Sequence, residues 1–259
     1  MASQNYWPDT KCAKAFWNQH TLPPYRQLLA DTSAWLDPRP GERWLDLGCG
    51  SGQLSQALWR QSGGTLAEVV GLDCAAVNAK AYRRLRDGEP APIPEDRLRF
   101  VCADFSTGLA SWPAGHFDGV VSGLAIQYAE SYSESDGRWT TEGYDRVLSE
   151  VGRVLRPGGR FVFSVLVPEP AWARVVLSSL PGILQASNPL RFLQRARRMW
   201  SYGGWLKREA RRGRFHFLPL SAILTRLSTA GLAGCEHRLS YCNQAYLIRC
   251  HKAAVAQAA

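Results

Sequence analysis

The run Trp44-Leu45-Asp46-Leu47-Gly48-Cys49-Gly50-Ser51-Gly52 constrains the fold more than any other stretch of the chain. A short apolar segment meets glycines at alternate positions, and a helical pattern opens at Leu54. Glycine has no Cβ, so it suits a backbone that turns sharply and lets a ligand approach closely. The spacing is G-x-G-x-G, not the G-x-G-x-x-G of dinucleotide sites, and no Gly-Lys-Ser/Thr follows to make a P-loop. Asp46, just ahead of the turn, would repel a pyrophosphate and suits a ligand carrying positive charge.

Strand and helix patterns alternate along the chain. Tyr25 to Leu36 reads as an amphipathic helix closed by the turn cluster Asp37-Pro38-Arg39-Pro40-Gly41. Strands are expected at Arg43 to Leu47, Val69 to Asp73, Leu98 to Cys102, Phe117 to Ser122 and Arg160 to Val167. Helices are expected from Leu54, over Ala75 to Leu85, after Gly123 through Gln127 and Tyr128, and over Tyr144 to Leu155. Arg156-Pro157-Gly158-Gly159 stops the last of these. This alternation predicts a parallel sheet covered on both faces, whose strands read as near-continuous apolar runs. Ligands in such sheets bind outside the carboxyl ends of the strands. Asp46, Asp73 and Asp104 fall at or just after three strand ends, so a single sheet edge collects all three. Beyond Leu220 to Ala230, a further helix, Leu239 to Tyr241 and Ala245 to Cys250 are expected to pair as a hairpin across Cys242-Asn243-Gln244.

At 259 residues the chain is long enough for one large domain or a domain with an insertion. The expected layout is a helical N-terminal segment over 1–36, a ligand-binding core over 37–168, an insertion over 169–217, and a last helix and strands over 218–252. No apolar run is long enough to span a bilayer, and the first residues lack a signal-type segment. Seven scattered cysteines without a C-x-x-C pair fit reduced thiols, so a cytoplasmic location is expected. The formal charge of +9 is concentrated between Glu169 and Phe215, where ten basic residues face two acidic ones. That stretch also carries Trp172, Phe192, Trp200, Tyr202, Trp205 and Phe215.

Taken together, the glycine turn, Asp73 about twenty residues on, the Ala103-Asp104-Phe105 step, the Phe117-Asp118 strand start and the Arg-Pro-Gly-Gly turn resemble, in order, the motifs of class I S-adenosyl-L-methionine-dependent methyltransferases. The resemblance runs from Trp35 to Val167 and again from Leu220 to Lys252. It implies a Rossmann-like fold: a doubly wound, mostly parallel seven-stranded sheet with an antiparallel last strand, here with a helical basic and aromatic lid. It implies S-adenosyl-L-methionine as cofactor, with Gly48, Cys49, Gly50 and Gly52 forming the turn against its methionine part and Asp46 near its amino group. Asp73, followed by Cys74, would take both ribose hydroxyls. Asp104 and Phe105 would meet the adenine, and Gly123 and Leu124 would lie under the carboxylate or sulfonium. Hydroxyls and an amine are donors, and ionised carboxylates only accept, so the chemistry is consistent. Asp118, at a strand start, reads as structural.

Such a cofactor brings its own reactive methyl group, so the protein has to align an acceptor and exclude water. No metal-ligand spacing of His or Cys is present. Weak candidates for a base or positioning group are Gln127, Tyr128, His20 and His216. The apolar lead-in from Ala171 to Leu184 favours a small aromatic or lipophilic acceptor, with a peripheral contact to the inner membrane surface through 169–217. RNA is the alternative, with arginines on phosphates and aromatics on bases. A non-catalytic cofactor-binding module, a spermidine-synthase-like enzyme and a merely solvated basic face are further readings.

Overall fold

The computed structural model describes residues 7–9, 14, 17, 22–179 and 202–254. Seven strands form one sheet: β1 (Arg43–Leu47), β2 (Glu68–Asp73), β3 (Leu98–Cys102), β4 (Phe117–Gly123), β7 (Leu155–Leu166), β8 (Leu232–Ser240) and β9 (Ala245–Lys252). The order is β3-β2-β1-β4-β7-β9-β8. The first five run parallel, and β9 pairs antiparallel with both β7 and β8. Two short strands, β5 (Tyr132–Ser133) and β6 (Arg138–Trp139), make a separate hairpin with no counterpart in the apolar pattern.

Helices α1 (Pro23–Ser33), α2 (Gln53–Gln61), α3 (Asn78–Asp87), α4 (Glu142–Val154), α5 (Trp172–Ser179) and α6 (Leu220–Thr229) flank the sheet. A further helical stretch occupies 202–211. The helix α1 opens on Pro23 and Pro24, where missing N–H groups cost nothing. Tyr144, Val147, Leu148, Val151 and Val154 make one buried face of α4, as their three-and-four spacing requires.

Alternation along each strand splits the core into two layers. Leu45, Val120, Phe161 and Phe163 join α4 and α6 residues on one face. Trp44, Val121, Val162 and Leu247 join Leu58 of α2 and Tyr82 of α3 on the other. Each of these large side chains is almost fully buried, worth about 1.5–3 kcal/mol apiece.

The two ends of the sheet differ in charge. At the N-terminal ends of the strands, carboxylates are paired with arginines: Glu42 with Arg160, and Asp118 with Arg156. Asp118 also accepts the Arg43 N–H at 2.8 Å, a structural role far from the ligand edge. At the C-terminal ends of β1 and β2, Asp46 and Asp73 have no cation against them among the described residues.

Two element expectations are corrected. The helix expected through Gln127 and Tyr128 is a single 3-10 turn, Ile126–Tyr128, after which the chain enters the separate hairpin at β5. The strand expected at Leu239 to Tyr241 runs instead over β8, Leu232–Ser240. As an edge strand with one half-solvated face it shows no continuous apolar run, and Tyr241 belongs to the turn that follows.

Candidate active site

A cavity of about 180 Å³ opens at the C-terminal ends of β1, β2 and β4. The glycine turn forms its floor. Gly48 adopts φ +66°, and a Cβ there would lie 2.2 Å from the Ala125 Cβ, so the turn and the loop after β4 interlock. Gly50, at φ +52°, has nothing within 4 Å of where its Cβ would be, because the open side is the cavity. That bare backbone is a cradle for a ligand.

Asp73 closes β2 at the cavity wall. Its Oδ2 accepts the Gly50 N–H at 3.0 Å and its Oδ1 the Ala75 N–H at 2.9 Å. Burial pushes its carboxyl above the ordinary range, while hydrogen bonds from Ala75, Gly50 and Asn78 hold it back. Each oxygen keeps acceptor capacity for a diol. Asp104 and Phe105 line the same wall. Asp104 also caps the turn Phe105–Thr107, accepting the Ser106 N–H at 2.9 Å. Cys49 and Cys74 face the cavity as neutral thiols, both pushed up by burial and by the nearby Asp73 charge.

Gly123 and Leu124 form the lip beyond β4. Leu124 sits at φ +52°, an unusual conformation for a branched side chain. Its N–H is shared between the Ser164 carbonyl at 3.0 Å and the Ser164 hydroxyl at 3.1 Å, which hold the strained turn in place.

Asp46 and Gly52 do not reach the wall. Asp46 is 1% exposed beneath the turn, and its Oδ2 accepts the Ser55 N–H at 3.1 Å and the Ser55 hydroxyl at 2.8 Å. Burial pushes its pKa up to about 7, against the opposing pull of the Ser55 hydrogen bonds. Gly52 packs on Tyr82, with no room there for a Cβ.

Among the candidates that lie in the described residues, only Tyr128 lines the cavity. Gln127 is fully buried the other way: its Oε1 accepts the Leu166 N–H at 2.6 Å and its backbone carbonyl the His216 N–H. It stitches the loop to the end of β7. His216 packs against Tyr144 with its Nε2 2.9 Å from the Ala129 carbonyl, outside the cavity, and burial lowers its pKa. His20 lies outside the described residues, as do Phe192, Trp200, Arg191, Arg195, Arg197 and Arg198. His116 is remote, 3.6 Å from Glu68 near the start of β2.

The opposite side of the cavity is aromatic. Trp7, Tyr25, Tyr128, Trp172, Tyr202 and Tyr241 line it. The Trp7 ring lies 4.5 Å from Tyr128 and 5.8 Å from Phe215, and Tyr128 meets Phe215 edge to face at 5.0 Å. Trp17 donates its indole N–H to Asn78 at 2.6 Å, which ties the N-terminal segment to the Asp73 side. Sequence reading flagged the aromatic enrichment of the 169–217 insertion but not Tyr241 or Asn78, which no local pattern marks. Among the described residues, no Lys, Arg or His lines the cavity, and no cluster of three ligands is placed to hold a metal.

A glycine turn after the first strand, a carboxylate closing the second and an acidic turn after the third meet in one cavity at the end of a Rossmann-like sheet. Gly50's open backbone, the Asp73 acceptors and a wall without cations fit the ribose, amine and sulfonium of S-adenosyl-L-methionine. Residues 45–163 match the family model for the methyltransferase domain. Residues 45–163 thus carry a methyltransferase domain of the class I, S-adenosyl-L-methionine-dependent kind. It is 31% identical over 169 residues to 27-O-demethylrifamycin SV methyltransferase of Amycolatopsis mediterranei, covering 64% of this chain and 52% of that one. It is also 31% identical over 133 residues to tRNA1(Val) (adenine(37)-N6)-methyltransferase of Dickeya chrysanthemi, covering 49% and 51%. The chain spans about half or less of the length of the curated relatives it matches. The fold is shared with a methyltransferase solved in complex with the Haloferax volcanii Trm112 activator, at TM-score 0.59 and 17% identity, over 94% of this chain and 95% of that one. Among the described residues, no helix is long and apolar enough to cross a membrane.

Proposed function

We propose that the protein transfers a methyl group from S-adenosyl-L-methionine to a small aromatic or lipophilic acceptor held against the aromatic wall. The observation that carries this is the wall itself: six aromatic side chains and, among the described residues, no cation. With no cation on the described wall, a phosphate or carboxylate of an acceptor would compete with the cofactor's own carboxylate for the few neutral donors there, a cost that apolar acceptors avoid. The basic residues nearby serve elsewhere. Arg138, Lys207 and Arg211 line a separate outer groove, where Lys207 and Arg211 pair with Glu169.

Bound cofactor supplies an electrophilic methyl group on a sulfonium. In this reading Asp73 takes the ribose hydroxyls, Asp104 and Phe105 meet the adenine, and the Gly48 to Ser51 backbone packs on the methionine part. Leu124 and Tyr128 border the place where acceptor and methyl meet, and the rings of the N-terminal and lid segments exclude water. Burial pushes the Tyr25 phenol up to about 12 and the Tyr128 and Tyr241 phenols higher, so near neutrality all three stay protonated, able to donate a hydrogen bond and unable to remove a proton. The acceptor therefore reacts through a lone pair it already carries.

The test is incubation of the protein with isotope-labelled S-adenosyl-L-methionine and separate pools of extractable small molecules, RNA and protein. Label in an extractable apolar or aromatic product is expected. Label confined to RNA or to protein would overturn the acceptor class.

A further inference from the structure

The cofactor of this family carries a carboxylate on its methionine end, and the described cavity wall offers it no arginine, lysine or histidine. An anion buried without a cation needs neutral hydrogen-bond donors. Most side-chain donors on the wall are already committed. Ser51 and Gln53 bond to each other at 2.7 and 3.0 Å. Asn78 serves Trp17 and Asp73, and Tyr128, packed on Trp7 and Phe215, borders the place of the acceptor instead. The Trp7 and Trp172 indole nitrogens and the Tyr202 hydroxyl are each sealed from the cavity. Tyr25 and Tyr241 are left. Neither phenol makes a hydrogen bond to another described residue, neither oxygen is sealed from the cavity, and the two rings meet edge to face at 6.5 Å.

The backbone carrying Tyr241 is unusual. Tyr241, Cys242 and Asn243 stand in the left-handed region in succession, at φ 53°, 56° and 62°. For side chains with a Cβ that conformation is costly. Gln244 holds the turn: its Nε2 donates to the Cys242 carbonyl at 3.0 Å, and its Oε1 accepts the Ala171 N–H. Its backbone carbonyl accepts the Val167 N–H at 3.1 Å. Strain maintained by surrounding bonds, with one ring projecting into a ligand cavity, is the pattern of a positioned functional group. Tyr25 reaches the same place from α1.

We infer that the Tyr25 and Tyr241 hydroxyls form a two-pronged donor pair that binds the methionine carboxylate of the cofactor. The assignment rests on the reading of the cavity as the S-adenosyl-L-methionine site. It is tested by calorimetry with two ligands, S-adenosylhomocysteine, which keeps the carboxylate, and 5′-methylthioadenosine, which lacks the amino-acid part. Tyr25→Phe and Tyr241→Phe are each expected to weaken S-adenosylhomocysteine about 10-fold and to leave 5′-methylthioadenosine within about twofold. Variants that bind S-adenosylhomocysteine as the wild type does, or that lose both ligands alike, would overturn the pair. A wild-type protein that binds neither nucleoside would remove the methyltransferase reading itself, and the pair with it. Thermal unfolding of each variant, expected within a few degrees of wild type, separates binding loss from misfolding.

Discussion

Asp46 shows how one side chain can be read in two ways. Its place in the glycine run suggests a partner for a cationic ligand, yet it lies beneath the turn, bonded to Ser55 and almost fully buried. Its pKa is raised to about 7 in the folded chain, from an ordinary value of 3.8. Between those values the unfolded chain has lost the proton and the folded chain keeps it, so stability falls as pH rises from about 4 to about 7. Above that range the cost is constant, at roughly 2–4 kcal/mol. Asp46→Asn keeps an oxygen for Ser55 and removes the buried charge. Its melting temperature should exceed that of wild type at pH 8 and converge on it near pH 4. A difference that stayed constant, or grew towards acid, would show that Asp46 is not a buried carboxylate of raised pKa.

Among the elements, the parallel strands were legible because burial on both faces forces continuous apolar runs, and β2, β4 and β7 obey that. The edge strand β8 was not, since its half-solvated face leaves polar residues such as Glu236, His237 and Arg238 within it. The loop after β4 misled for a different reason. Gln127 is polar and next to the lip, but the 3-10 turn rotates it inward to satisfy the end of β7. Phe215 shows what the lid contributes: it is 2% exposed and touches Trp7, Tyr128 and Trp205 at once. Phe215→Ala should cost about 3–5 kcal/mol in urea unfolding and speed protease cleavage of the N-terminal segment. A loss below about 1 kcal/mol would mean that these rings do not bind the segments together.

On the scale of the molecule, charge is sorted along the sheet. Ion pairs close the N-terminal ends of the strands, and carboxylates and aromatic rings furnish the C-terminal ends. The sequence marked the acidic rim, because Asp73 closes one recognisable strand and Asp104 follows another, although Asp46 lies beneath it. It could not mark the aromatic wall, whose members come from four separate stretches brought together only by folding. The most direct test of the whole account is calorimetric titration of S-adenosylhomocysteine into the wild type and into Asp73→Asn. One-to-one binding that weakens about 10- to 100-fold in the variant is predicted, from the loss of charge-assisted hydrogen bonds. Equal affinity in the two proteins, or no binding by the wild type at millimolar ligand, would contradict it.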